Sequence, residues 1–172
     1  MELWDVYDQD RIKQNRTMIR GQQFSEGDYH LVVHVCIFNS EGQMLIQQRQ
    51  PFKEGWSNYW DFTVGGSATA GDNSRTAAQR ELFEEIGLSI DFAQLRPFLT
   101  VNFSHGFDDF YLIEHEVDLD KLVLQYDEVQ QVKWATKEEI ISLVRCGQFI
   151  PYYESLIHLL FDMRKRLGTK SI

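Results

Sequence analysis

One helix constrains this chain more than any other stretch of its sequence. Residues 73–86 read as helical, with Asp72 or Asn73 as N-cap and Gly87 as the C-terminal stop. At about 100° per residue, Glu81, Glu84 and Glu85 fall within an arc of roughly 100°. Ala78, Leu82 and Ile86 form the neighbouring stripe, which must face a core, and Phe83 lies further round. Ala77 falls in the carboxylate arc and is small enough to let a ligand come close. Three like charges on one face repel one another and cost stability. A solvated acidic face is one reading; the other is a divalent cation, whose preference for hard oxygen ligands offsets the repulsion. The glycine-rich loop 65–71 ahead of the helix favours the second, because it lets backbone groups approach a metal or a phosphate.

The rest of the chain reads as an α/β fold, a mixed β-sheet sandwiched between α-helices. Leu3–Tyr7 is a short strand and residues 8–28 are polar and turn-rich. The β-branched run His30–Phe38 reads as a buried strand, and Met44–Arg49 returns after a turn at 39–42 to make a hairpin. Further strands are expected at 60–64, 97–104, 109–117 and 128–135, and helices at 137–145 and 152–166. Arg164, Lys165 and Arg166 complement the dipole at the end of the last helix. No repeat, low-complexity tract or linker divides the 172 residues, so 1–172 is expected as a single domain with 1–28 as an N-terminal extension.

Composition narrows the function. With 17 basic and 26 acidic residues the formal charge is −9, which argues against a nucleic acid polymer as partner. A small phosphorylated molecule is not excluded, since phosphate reaches a carboxylate-rich site through a bound divalent cation. Cys36 and Cys146 lie far apart and outside any C-x-x-C pattern, as in a reducing compartment without a zinc cluster. The acidic N-terminus does not resemble a secretory leader, and no apolar run approaches the roughly 18 residues of a membrane span. A cytoplasmic protein is expected, with a small-molecule partner and no membrane. There is no P-loop, no G-x-S-x-G and no dinucleotide fingerprint, and His105 and His115 lack H-E-x-x-H spacing.

Gly66, Arg80, Glu81, Leu82, Glu84, Glu85, Gly87 and Leu88 stand at the spacing of the Nudix box, which this segment resembles. One position departs: Asp72 stands where that family has Glu. The resemblance extends over roughly residues 28–165 and implies the Nudix fold, a Mg2+ or Mn2+ cofactor and cleavage of a small-molecule diphosphate. It further implies that Glu84, Glu85 and the Gly65 carbonyl are metal ligands, and that Glu81 is either a ligand or the base that activates water. Arg80 would hold the carboxylates in place, as its i,i+4 spacing to Glu84 also suggests. A later acidic residue often joins such a site; Glu128 is the best match, with Asp108 and Asp109 behind it. Asp72, one methylene shorter than Glu, is expected to reach the helix through water. A homodimer is compatible with the resemblance.

Residues 30–72 are also similar to the isopentenyl-diphosphate isomerase branch, on His30-Leu31, Arg49, Lys53, Trp56 and Trp60. The counterparts of Arg49 and Lys53 hold the diphosphate there, which assigns these two, with Gly66, to substrate binding. That branch uses a Cys followed by Gly-His, whereas this chain has Gly65-Gly66-Ser67. Neither Cys36 nor Cys146 substitutes by position, so isomerase chemistry is a weaker alternative. The expected function is a Mg2+-dependent pyrophosphohydrolase acting on a nucleoside diphosphate derivative or a similar small diphosphate. A non-catalytic nucleotide or diphosphate sensor is the competing class. Glu81 is favoured over Glu128 as the base because it already lies beside Glu84 and Glu85. Trp56, Tyr59 and Trp60 either stack a base or anchor their loop. His30 and His34 share one strand face and read as core histidines, while Phe103, His105 and Phe107 are candidates for lining the pocket of the remaining moiety.

Overall fold

The computed structural model describes residues 2–165 and 168. In chain order its strands are β1 (Leu3–Tyr7), β2 (Lys13–Ile19), β3 (His30–Phe38), β4 (Met44–Arg49), β5 (Trp60–Asp61), β6 (Val64–Ser67), β7 (Leu99–Phe103), β8 (Gly106–Glu114) and β9 (Val129–Ala135). Its α-helices are α1 (Ser74–Ile86), α2 (Lys137–Arg145) and α3 (Glu154–Met163). No helix among the described residues is long and apolar enough to cross a membrane.

β3 is the spine, and its near-continuous apolar run is that of a strand covered on both faces. Odd-numbered Val33, Val35 and Ile37 pack with Ala78, Leu82 and Ile86 of α1. Even-numbered Cys36 and Phe38 enter a second core with Ile140 of α2 and Ile157, Leu160 and Phe161 of α3. The expected mixed sheet between helical layers is therefore present. β8 runs parallel to β3 along its whole length, and β7 lies antiparallel outside β8.

On its other edge β3 changes partner. Val32 to Val35 pair with β6, whereas Phe38 pairs with Met44 of β4, which continues along β5 and β9. The fork is closed at its base by Thr63, whose buried hydroxyl accepts from the Ile37 N–H (2.9 Å) and donates to the Leu45 carbonyl (2.5 Å). Buried backbone groups that lose a strand neighbour are thus still satisfied.

Several expectations need correction. The strand foreseen at 60–64 is two strands, and Gly65 and Gly66 belong to β6, paired with His34 and Val33, not to a loop. The strand foreseen at 109–117 begins three residues earlier, so Asp108 and Asp109 lie inside β8 on opposite faces. The stretch 8–28 contains β2, antiparallel to β1. β2 carries little apolar signal because its stability comes from its partner strand and from ion pairs such as Lys13–Asp5 (2.5 Å). Ala77, expected to leave room for a ligand, is fully buried in the α1-side core. The cap of α1 is Asn73, in a reciprocal box with Thr76. After α3, Arg164 donates to the Phe161 carbonyl (2.9 Å), consistent with a charge stabilising the last turn; Arg166 lies outside the described residues.

The β1–β2 hairpin is fastened to the sheet and to the start of α1. Tyr7 and Tyr29 exchange two backbone hydrogen bonds (2.8 and 3.0 Å), Trp4 stacks on His30 (4.4 Å), and the Ala70 N–H donates to the Leu3 carbonyl (2.7 Å). Asp109, fully buried, accepts from Arg11, from Ser74 Oγ (2.5 Å) and from Thr100 Oγ1 (2.6 Å). This carboxylate joins the hairpin, α1 and β7. Removing its cationic partner leaves a buried charge held by two hydroxyls alone, a change that costs about 3–5 kcal/mol when the pair is wholly buried. Because Arg11 is partly exposed, Arg11→Ala is expected to fall below that range, losing about 2–3 kcal/mol in urea unfolding. A loss below about 0.5 kcal/mol, typical of a surface substitution, would show that the hairpin is not held through Asp109.

Candidate active site

A cleft of about 500 Å³ opens where β4 and β6 diverge, and one wall is the segment around α1. Arg80 organises that wall. Its Nε and Nη2 donate to Asp72 Oδ2 (3.1 and 3.0 Å), its Nη2 also to the Ser67 carbonyl (3.2 Å), and its Nη1 to Glu81 (2.9 Å) and Glu84 (3.0 Å). The contact of Asp72 to the helix is direct, not water-mediated as its shorter side chain had suggested. Asp72 also accepts from Thr69 Oγ1 (2.9 Å) and Thr76 Oγ1 (3.0 Å). Burial works against the ionised Asp72, but the bonds from Thr69 and Arg80 outweigh it and hold its carboxyl below the ordinary value.

Glu81 and Glu85 point inward while Glu84 is more open. Burial pushes the Glu81 carboxyl up, with Arg80 opposing. Burial also pushes Glu85 well above the ordinary range, and the neighbouring charge of Glu81 adds to this. The side-chain donor to Glu85 is Gln47 Nε2, at 2.8 Å on β4. The two glycines of β6 leave room for these neighbours as they stand. A Cβ on Gly66 would land on the Glu81 carboxylate, and one on Gly65 would stand 2.5 Å from His34 Nδ1.

The opposite wall comes from the end of β4 and the loop between β4 and β5. Arg49, Lys53 and Trp56 line the cleft there, facing Glu128 from the segment before β9. Lys53 Nζ pairs with Glu128 Oε2, and the Gln50 N–H donates to the Glu128 carbonyl (3.1 Å). Two residues singled out separately by sequence, a phosphate clamp and an acid, thus neutralise one another.

The floor was not foreseen as a unit. His34 Nε2 meets Asp108 Oδ2 at 3.2 Å, while Asp61 accepts from Tyr152 OH (3.1 Å) and the Phe62 N–H (2.8 Å). Burial raises Asp61; His34 is raised too, because Asp108 outweighs the opposing effect of burial. The available signal was a lone acid between aromatics, Trp60-Asp61-Phe62, where a strand face must be dry. Glu2 and Arg20 (3.0 Å apart) also reach the rim, from an extension that sequence had set outside the site.

All nine assigned positions line this one cleft: Arg49, Lys53, Gly65, Gly66, Arg80, Glu81, Glu84, Glu85 and Glu128. Among the described residues no three acidic, imidazole or thiol groups converge closely enough to ligate one ion as they stand. Glu81 and Glu84 are engaged by Arg80, and Glu85 by Gln47. Asp109 faces away, into its own hydrogen-bonded hub. Phe103, His105 and Phe107 do not line the cleft: Phe103 packs on His30, His105 on Phe24, and Phe107 against Tyr29. His30, pushed down to about 4 by burial, is a neutral member of that aromatic cluster.

Comparison with known proteins identifies the family and the fold. The NUDIX domain family model matches residues 28–155. An uncharacterized Nudix hydrolase of Listeria innocua is 46% identical over 164 residues, covering 95% of this chain and 96% of that protein. An isopentenyl-diphosphate Delta-isomerase of Pectobacterium atrosepticum is 31% identical over 151 residues, covering 83% and 82%. The crystal structure of DR0079 from Deinococcus radiodurans superposes with a TM-score of 0.75 at 22% identity, over 92% of this chain and 97% of that one, a likeness of fold. The chain belongs to the Nudix hydrolase family.

Proposed function

We propose that the protein is a Mg2+-dependent pyrophosphohydrolase, with Mn2+ able to serve, that cleaves the diphosphate linkage of a nucleoside diphosphate derivative or a similar small diphosphate. The observation that carries this reading is the charge of the cleft. Among the described residues, seven carboxylates line it (Glu2, Asp61, Glu81, Glu84, Glu85, Asp108 and Glu128) against four cationic side chains, Arg20, Arg49, Lys53 and Arg80. An anionic substrate is repelled by such a surface unless divalent cations enter with it. Glu81, Glu84, Glu85 and the Gly65 carbonyl are hard oxygen donors of the kind Mg2+ takes, and side-chain rotation away from Arg80 and Gln47 frees them. A divalent cation supplies neutralisation of the phosphate charge and a more acidic water.

The protein's own groups do the rest. Arg49 and Lys53 bind phosphate oxygens, Lys53 exchanging the Glu128 carboxylate for the substrate. Arg80 positions the acidic wall. Glu81 accepts the proton of the attacking water, a role helped by the upward shift that burial gives it. Hydrolysis is favoured over isomerisation because His34 occupies the space that a side chain at position 65 would need, which closes that position to a catalytic cysteine. Both cysteines are free, which suits a reducing cytoplasm.

Millimolar Mg2+ or Mn2+ should raise the Tm of the wild type, and NaCl of equal ionic strength should not. Glu85→Gln should lose most of that gain. Without metal, a carboxyl whose folded pKa is raised binds more protons in the folded state. Stability therefore falls as pH rises from its unfolded value toward the folded one, and Glu85→Gln should flatten this slope and be more stable at neutral pH. An unchanged metal response in Glu85→Gln removes Glu85 from the ligand set.

A screen of diphosphate compounds with Mg2+, read by release of phosphorylated products, tests the reaction itself; binding of every compound without cleavage of any would favour the sensor. With a cleaved substrate, Glu81→Gln should lower turnover by about 10²–10⁴-fold at saturating metal, the usual effect of losing a general base. Glu128→Gln should act chiefly on KM by freeing Lys53. Loss of turnover in Glu128→Gln with near-normal Glu81→Gln places the base on the segment before β9.

A further inference from the structure

The loop between β4 and β5 holds a tryptophan at a conformational cost. Trp56 has φ of +51°, in the left-handed region that bulky side chains seldom enter. Its companions in that region, Gly55 (φ +70°) and Asn58 (φ +65°), are residue types that tolerate it. Trp56 is nevertheless 48% exposed, and it lines the cleft. The other three tryptophans are spent on packing: Trp4 is buried on His30, Trp60 lies beneath Lys133 (4.8 Å), and Trp134 packs against the α1-side core. A tryptophan that served only to anchor the loop would be buried, and glycine would suit the turn better. Both costs fall on a ring at the lining of the cleft.

The same loop carries Lys53 and is joined to Arg49, the last residue of β4. Arg49 Nε donates to the Gly55 carbonyl (3.3 Å), next to Trp56, and the N–H groups of Lys53 and Asn58 both donate to the Gln50 carbonyl (3.2 and 3.4 Å). The Tyr59 N–H donates to the Trp56 carbonyl (3.2 Å), and the Tyr59 ring meets the indole edge-on at 5.4 Å. Indole and cations are therefore parts of one hydrogen-bonded piece.

We propose that Trp56 is a specificity-determining residue, whose indole is the stacking platform for a flat aromatic heterocycle carried on the diphosphate. The proposal rests on Arg49 and Lys53 being the diphosphate clamp and adds the class of the attached group. An indole reads the flat face of a ring and not its edge, so it selects for a base while tolerating which base it is. A hydrocarbon chain on the diphosphate offers no such face.

The test uses two non-hydrolysable ligands in Mg2+, α,β-methylene-ADP and methylenediphosphonate, measured by calorimetry on the full chain. The wild type should bind the nucleotide about tenfold or more tightly than the bare diphosphonate, the scale of one stacked base. Trp56→Gly should lose most of that difference, keep its affinity for methylenediphosphonate and remain folded, because glycine adopts the positive φ without strain and offsets the lost packing on Tyr59. Trp56→Asn should behave likewise, and Trp56→Phe, which keeps a ring, should retain much of the preference. The proposal is overturned by a wild type without the preference, or by a preference that survives in Trp56→Gly. Equal loss for both ligands, or unfolding of both the Gly and Asn variants, would make Trp56 a loop anchor and overturn it too. Because neither ligand can be hydrolysed, failure here is separate from failure of the proposed reaction, which the cleavage screen reads.

Discussion

The site stands on one guanidinium. Arg80 spends its planar fork on three carboxylates and a carbonyl: Asp72 from the turn before α1, Glu81 and Glu84 from the helix, and Ser67 at the end of β6. A lysine has three donors on one point and cannot span these directions. Through this residue the strand, the turn and the helix share one geometry, and two of the clustered glutamates are held in place. The same fork explains how the shorter Asp72 still reaches the helix. Thr69 and Thr76 hold its carboxylate from either side, so the missing methylene is absorbed by a direct contact with Arg80.

What was legible in the sequence was local or strongly periodic. α1 announced itself through a cap, an apolar stripe and a glycine stop, each contained within a few residues. β3 announced itself because a strand covered on both faces must be apolar throughout. β2 was not legible, since its polar residues gain their order from β1 and from ion pairs to other segments. The glycines of β6 misled in an instructive way. Gly65 and Gly66 are small because the His34 ring and the Glu81 carboxylate fill the space above them, and a residue kept small for a neighbour looks, in sequence, like a residue kept small for a turn. The floor of the cleft was hidden for a related reason: His34, Asp61, Asp108 and Tyr152 come from four separate segments, and only the fold makes them neighbours.

The cleft itself follows from the edge of β3. One strand cannot hold two partners along the same edge at the same residues, so β6 takes its first half and β4 takes over at Phe38. Past the Thr63 plug the two diverge, and the space between them receives side chains from both. Gln47 of β4 can then reach Glu85 across the gap, while Arg49 at the end of β4 and Lys53 and Trp56 of the loop that follows form the opposite wall.

Most of the charge gathered there is settled internally. Glu2 has Arg20, Glu128 has Lys53, Asp108 has His34, and Asp72, Glu81 and Glu84 share Arg80. Asp61 has a tyrosine hydroxyl and a backbone N–H, which suits a carboxyl that burial pushes toward its neutral form. Glu85 differs from all of these. It is the most deeply desolvated glutamate of the helix, it adjoins other acids, and its side-chain partner is an uncharged amide. Ionising a carboxyl in that position carries a desolvation penalty that a salt-bridged neighbour does not share. The electrostatic strain of the cleft is thus concentrated at one residue, on the buried side of α1.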